Sequence, residues 1–137
     1  MYRNILLPVD LTDKNNLAVE AAREVLDTVG GSVTLLHVVE TLDLPFEEMQ
    51  DFYEQLADSA SGKMETIVAE RLQGCNAKHE TVFGRRVRSI LTFATENDID
   101  LIVMTSRRMT PADERSSLMS ISHQVAIFGP CSVILLR

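Results

Sequence analysis

Four stretches of this chain are apolar without alternation, and that pattern restricts its fold more than any other feature. They are Ile5-Leu6-Leu7-Pro8-Val9, Val33-Thr34-Leu35-Leu36-His37-Val38-Val39, Leu101-Ile102-Val103-Met104 and Val133-Ile134-Leu135-Leu136. Successive side chains of a strand point to opposite faces, so a strand with one wet face alternates apolar with polar. A run without alternation needs cover on both faces, the condition of a parallel sheet flanked by helices. Helical spacing fills the gaps between the runs. Leu17, Ala18, Ala21, Ala22, Val25 and Leu26 form one stripe, and Val87, Ile90, Leu91 and Ala94 form another. A long helix is expected from Pro45 to about Gln73, with Met49, Phe52, Leu56, Ala60, Met64, Ile67 and Val68 inward and a weak middle at Ser59, Ser61 and Gly62. A last helix spans Ser120 to Phe128.

The punctuation agrees with this division. Pro8 cannot donate to a central ladder and belongs at its strand's end. Thr12 or Asp13 is placed to cap the first helix, Gly30-Gly31 and Gly74 to end helices, and Pro130 to break the last one. Residues 76 to 83 are polar for a strand and suit a sheet edge. Strands that alternate with helices require right-handed crossovers. The expected fold is α/β: an open, five-stranded, mostly parallel sheet in the order 3-2-1-4-5, with helices on both faces. The 137 residues fit a single domain. In that order the chain reverses between strands 1 and 4, and ligands on such folds bind there, beyond the carboxyl ends of the strands. Val9, Asp10 and Leu11, with residues 105 to 108, therefore surround the expected site.

Charge and composition remove several function classes. The net charge is −7, from 20 acidic and 13 basic residues, which opposes nucleic-acid binding. No apolar run reaches the length of a membrane span, and the apolar start meets Asp10 too soon for a signal peptide, so a cytoplasmic location is expected. Cys75 and Cys131 lack disulfide-scaffold or metal-site spacing, and Cys131 reads as a small core residue. His37 lies inside an apolar strand and reads as a hydrogen-bonded core residue. Neither His79 nor His123 has a Ser or Asp at a spacing that argues for a triad. Arg85, Arg86 and Arg88 open a helix, where positive charge opposes the dipole; a solvated helix end is preferred there to an anion site.

Residues 4–10, 35–39, 98–104 and 131–137 resemble universal stress proteins, and their joint order and spacing carries the resemblance along the whole chain. It implies a Rossmann-like, adenine nucleotide alpha hydrolase-like fold, a homodimer through the last strand, and ATP or AMP at the switch point. In nucleotide-binding members an acidic residue after strand 1 holds the ribose, and Asp10, reached through Pro8 and Val9, matches it. Backbone groups at the end of strand 2 receive the adenine, and Val38 falls there. The phosphates lie in a segment of pattern G-x2-G-x9-G-[ST]. Here those glycines align near Thr105, Arg108 and Met119, only Ser120 keeps its type, and the spacing needs an insertion.

Glycine lets backbone N–H groups approach phosphate oxygens, whereas a Cβ closes that approach. Asp113 and Glu114 add carboxylates nearby, each costing on the order of 1 kcal/mol of repulsion. Arg107 and Arg108 offer another grip, since guanidinium forks bind phosphate without glycine. The leading reading is a homodimeric stress-response binding or signalling module, not an enzyme, with a degenerate or rearranged nucleotide site and no required cofactor or metal. Its site residues are Pro8, Val9, Asp10, Val38, Thr105, Arg107, Arg108 and Ser120. One rival is an ATP- or AMP-binding stress protein with weak or no hydrolysis; another is an enzyme on a related nucleotide-binding fold.

Overall fold

The computed structural model describes residues 1–41, 46–106 and 120–137. Five strands form one sheet: β1 (Asn4–Pro8), β2 (Ser32–Glu40), β3 (Asn76–Gly84), β4 (Leu101–Thr105) and β5 (Ser132–Leu136). Their order is β3-β2-β1-β4-β5 and each pairing is parallel, as the apolar runs require. Between them run α1 (Asn15–Val29), a 3₁₀ turn (Phe46–Met49), α2 (Gln50–Arg71), α3 (Arg86–Glu96) and α4 (Ile121–Phe128).

Two cores explain why the strands do not alternate. On one face Ile5, Leu7, Val33, Leu35, Leu101 and Val103 pack with Ala18, Val19, Ala22 and Leu26 of α1 and Ala60 and Met64 of α2. On the other, Leu6, Leu36, Val38, Ile102 and Met104 pack with Ile90, Phe93 and Ala94 of α3 and Val125 of α4. Ile5, Leu6 and Leu7 are wholly buried, and each such side chain stabilises the fold by about 1.5–3 kcal/mol. Pro8 is the last residue of β1. Gly31 has φ +107, and a Cβ there would collide with the Arg3 backbone, so the turn into β2 needs glycine.

Three local expectations are corrected. Neither Thr12 nor Asp13 caps α1; the helix starts at Asn15, and the preceding Lys14 makes no side-chain cap hydrogen bond. The side chain of Asp10 engages Thr12, and Asn15 is turned toward the loop. Leu17, placed inward by spacing, is exposed. On α2 the inward residue is Tyr53, 2% exposed, while Phe52 and Leu56 are 51% and 41% exposed. The 3₁₀ turn advances three residues per turn, not 3.6, so it resets the phase assumed from Pro45, itself outside the described residues. Phe46 in that turn stacks on Tyr53, ring centroids 5.5 Å apart, and holds it inward. α2 then continues unbroken through Ser59, Ser61 and Gly62.

Candidate functional site

The carboxyl ends of β1 and β4 diverge into a cleft of about 180 Å³. It is small beside the roughly 300–1,000 Å³ of sites that enclose drug-sized ligands. Pro8, Val9 and Asp10 form one side, Thr105 and Ser120 another, and Val38 and Arg86 the remainder. Six of the eight expected site residues thus meet in one place. Arg107 and Arg108 lie outside the described residues, as do Asp113 and Glu114.

The loop after β1 is held in an uncommon shape. Asn15, 6% exposed, accepts hydrogen bonds at Oδ1 from the Asp10 N–H (3.1 Å) and the Leu11 N–H (2.8 Å). Leu11 has φ +67, a conformation that costs a bulky L-residue about 1–2 kcal/mol. Two donors converging on one buried oxygen keep the loop in that state. Asp10 Oδ1 accepts from the Thr12 N–H (3.0 Å) and hydroxyl (2.7 Å). Among the described residues Oδ2 takes no hydrogen bond, so one carboxylate oxygen remains available to a ligand hydroxyl. Burial pushes the Asp10 carboxyl up, but the Thr12 hydrogen bonds and the charges of Arg86 and Lys14 outweigh it and hold it below the usual carboxylate range. Asp10 is therefore ionised at neutral pH.

β2 outruns β1. Pro8 pairs opposite Leu36, and the Leu36 carbonyl accepts from the Val9 N–H at 2.9 Å. Amides alternate sides along a strand, so Val38, two residues on, directs its N–H and C=O toward the cleft, where β1 no longer covers them. The His37 ring answers to the same ladder: its Nδ1 lies 2.9 Å from the Val9 carbonyl, which only accepts, so Nδ1 carries the proton. His37 is hydrogen-bonded as expected but only half-buried, outside both cores.

The β4 wall is tied down by hydroxyls. Thr105 Oγ1 donates to the Lys14 carbonyl (2.8 Å), and the buried Ser106 hydroxyl receives the Ser122 hydroxyl (3.1 Å). Ser120 is the N-cap of α4 and accepts weakly from the His123 N–H (3.4 Å). Its Oγ also lies 2.6 Å from His123 Nδ1, a Ser–His contact across one helical turn that spacing alone did not suggest. Burial, with the Asp100 charge, raises the Cys131 thiol and leaves it protonated. Among the described residues no group of three or more His, Cys, Asp or Glu could hold a metal ion, and no helix is long and apolar enough to cross a membrane.

Arg86 is the residue whose place sequence reasoning missed. It opens α3 and lines the cleft one turn before Ile90, whereas Arg85 and Arg88 line a separate cavity of about 490 Å³ against the β3 edge. A third hollow, about 550 Å³, adjoins the cleft across Asp10, Asn15 and Thr105 and carries Lys14 and Arg137.

A parallel sheet in this order, with a cleft at the strand reversal, defines a Rossmann-like α/β protein. The chain belongs to the Universal stress protein family, which it matches over residues 1–137. Among solved structures it is similar to universal stress protein UspA from Lactobacillus plantarum, with 26% identity, TM-score 0.76, and 99% of this chain and 98% of that one covered. It is also similar in fold to a universal stress protein in complex with cAMP (16% identity, TM-score 0.71, 99% and 97% covered). The universal stress protein from Archaeoglobus fulgidus in complex with dAMP gives 18% identity, TM-score 0.67, and 99% and 98% covered. No curated protein matches the chain.

Proposed function

We propose that this chain is a one-domain, homodimeric binding or signalling module of the stress response, with a rearranged adenine-nucleotide site and no strong catalytic step. The observation that carries this reading is the division of the cleft. A free Asp10 oxygen and the open Val38 amide remain, suited to ribose hydroxyls and a base edge. The phosphate side has lost its glycines, since none occurs between Gly84 and Gly129. Family relatives solved with cAMP and dAMP support an adenine nucleotide as the ligand class. Pro8, Val9 and Thr105 would shape this site, and Arg107, Arg108 and Ser120 would supply what phosphate contact remains.

The second reading, a true ATP or AMP binder, is favoured by Ser120, whose hydroxyl stands at the N-terminus of α4 beside Ser122. Assembly through β5 is supported by its apolar sequence and by Ile127 and Phe128 of the neighbouring α4, 60% and 61% exposed. Mass spectrometry of ligand retained through purification, followed by calorimetry with ATP, tests the proposal. The expected result is no retained ATP and weak ATP binding; retained ATP with micromolar affinity would favour the second reading.

A further inference from the structure

We propose that Arg86 packs its guanidinium on the base of the bound ligand, and that the cleft selects purine nucleosides through base and ribose while phosphates contribute little. This rests on the cleft being an adenine-nucleotide site.

Arg86 is half-buried on the cleft wall, and among the described residues no carboxylate lies within ion-pair distance of it. Its charge opposes the dipole of α3, so in the unliganded protein it weakens the helix it starts. A cation in that position gains from a flat, electron-rich partner, because guanidinium stacks on π faces and is weakly hydrated. The side of the cleft it occupies decides which part of the ligand it meets. α3 lies against β2 and β3, and Ile90, one turn after Arg86, packs with Val38, which sets Arg86 over the β2 end of the cleft; Lys14 and Arg137 lie in the hollow beyond Asp10. With the base edge on the Val38 amide and the ribose on Asp10, Arg86 stands on the base side. The cleft's 180 Å³ suits a ring system, so phosphates would have to reach the adjoining hollow, where Lys14 and Arg137 are exposed and their attraction is screened by solvent. The Arg86 charge also reaches Asp10 and helps keep that carboxylate ionised for the ribose.

Calorimetry of adenosine, AMP and ATP with wild type, Arg86→Ala and Arg86→Lys, each at low and high salt, tests this. Wild type should bind the three within about threefold of one another, with little salt dependence, since base stacking carries no net ligand charge. Arg86→Ala should weaken all three by more than about tenfold, and Arg86→Lys should recover little, because an ammonium lacks the planar face. The alanine variant should melt at or above the wild-type temperature, which separates lost contact from lost fold. If Arg86→Ala weakens AMP and ATP but spares adenosine, Arg86 is a phosphate ligand and the proposal fails. If it binds all three like wild type, the Arg86 assignment falls while the nucleotide-site reading stands. If wild type binds none at millimolar concentration, both fall.

Discussion

Replacing Asn15 with alanine should uncouple the Asp10 loop from the fold at a modest cost in stability and a larger one in binding. Its Oδ1 is the acceptor for two N–H groups, those of Asp10 at 3.1 Å and Leu11 at 2.8 Å. Leaving a buried donor unpaired costs roughly 1–3 kcal/mol. These two are part-buried, so about 1 kcal/mol each is the better figure, or about 2–3 kcal/mol with the lost packing of a buried side chain. Against this, Leu11 is freed to leave its positive φ, recovering about 1 kcal/mol. The net loss should be about 1–2 kcal/mol, or about 4–8 °C in Tm for a chain of this size. The relaxed loop carries Asp10 away from the cleft, so adenosine affinity should fall at least about tenfold. Asn15→Asp is the control: a carboxylate accepts both N–H bonds and suits the first turn of a helix, so its stability should stay within about 1 kcal/mol of wild type. Urea unfolding followed by circular dichroism, with an unchanged m value, and calorimetry give the two readouts. The clamp argument is refuted if Asn15→Ala loses less than about 0.5 kcal/mol with affinity intact, or if Asn15→Asp is as damaging as Asn15→Ala.

Three other outcomes are expected. Val133→Asp should convert a dimer to monomer in sedimentation, because the charge falls on the apolar β5 edge; a wild type that sediments as monomer at micromolar concentration contradicts the assembly reading. Asp10 is held below its ordinary 3.8, so its ionised form adds stability above about pH 4, and this is lost as pH falls through the lowered folded value. Asp10→Asn should flatten the urea-midpoint profile below pH 4 and leave it unchanged between about pH 6 and 8; a steeper acid limb in the variant would reverse the sign. Asp100→Ala removes the acceptor of the Arg3 and Asn4 N–H groups, both at 3.0 Å, and should cost about 1–3 kcal/mol by chemical denaturation; a neutral effect would mean that water replaces the carboxylate without loss.

The sheet was legible because burial on both faces of β1, β2 and β4 leaves continuous apolar runs, while β5, equally apolar, is only half-buried at the sheet edge. Pro8 at its strand's end and Gly30 at the end of α1 were legible from proline's missing N–H and glycine's freedom at positive φ, whereas the close approach of Gly31 to Arg3 was not. Errors came where one residue's phase mattered. Phe52 and Tyr53 are adjacent aromatics, and a 3₁₀ turn upstream decided which of them faced inward. Likewise Thr12 and Asp13, each able to hydrogen-bond a backbone N–H, read as caps of α1. Loop geometry, invisible to spacing, left α1 without a side-chain cap and turned Asn15 back to the Asp10 and Leu11 N–H groups. Arg85 precedes α3 in an extended conformation, and within the helix successive positions differ by about 100°, so Arg86 meets the cleft while Arg88, two positions on, joins Arg85 on the β3 side. The sequence marks that a charge opposes the dipole there, but only the sheet's position tells which arginine meets a ligand.

The two rims of the sheet are chemically unlike, and this limits how far copies can add to one another. β5 ends the sheet with Val133, Ile134, Leu135 and Leu136, whereas β3 exposes Asn76, Lys78 and Glu80 along its length. Growth of a continuous ribbon needs each newcomer to present one rim to the other rim of its predecessor. A charged, polar rim opposite an apolar one makes that step unfavourable, while apolar rim against apolar rim is used up after a single encounter. Pairing through β5 would therefore be self-terminating: two molecules joined there leave only β3 facing outward at either end. The polar composition of β3, unremarkable as a strand, would then act as a stop to polymerisation in a chain whose other strands are among the most apolar segments it has.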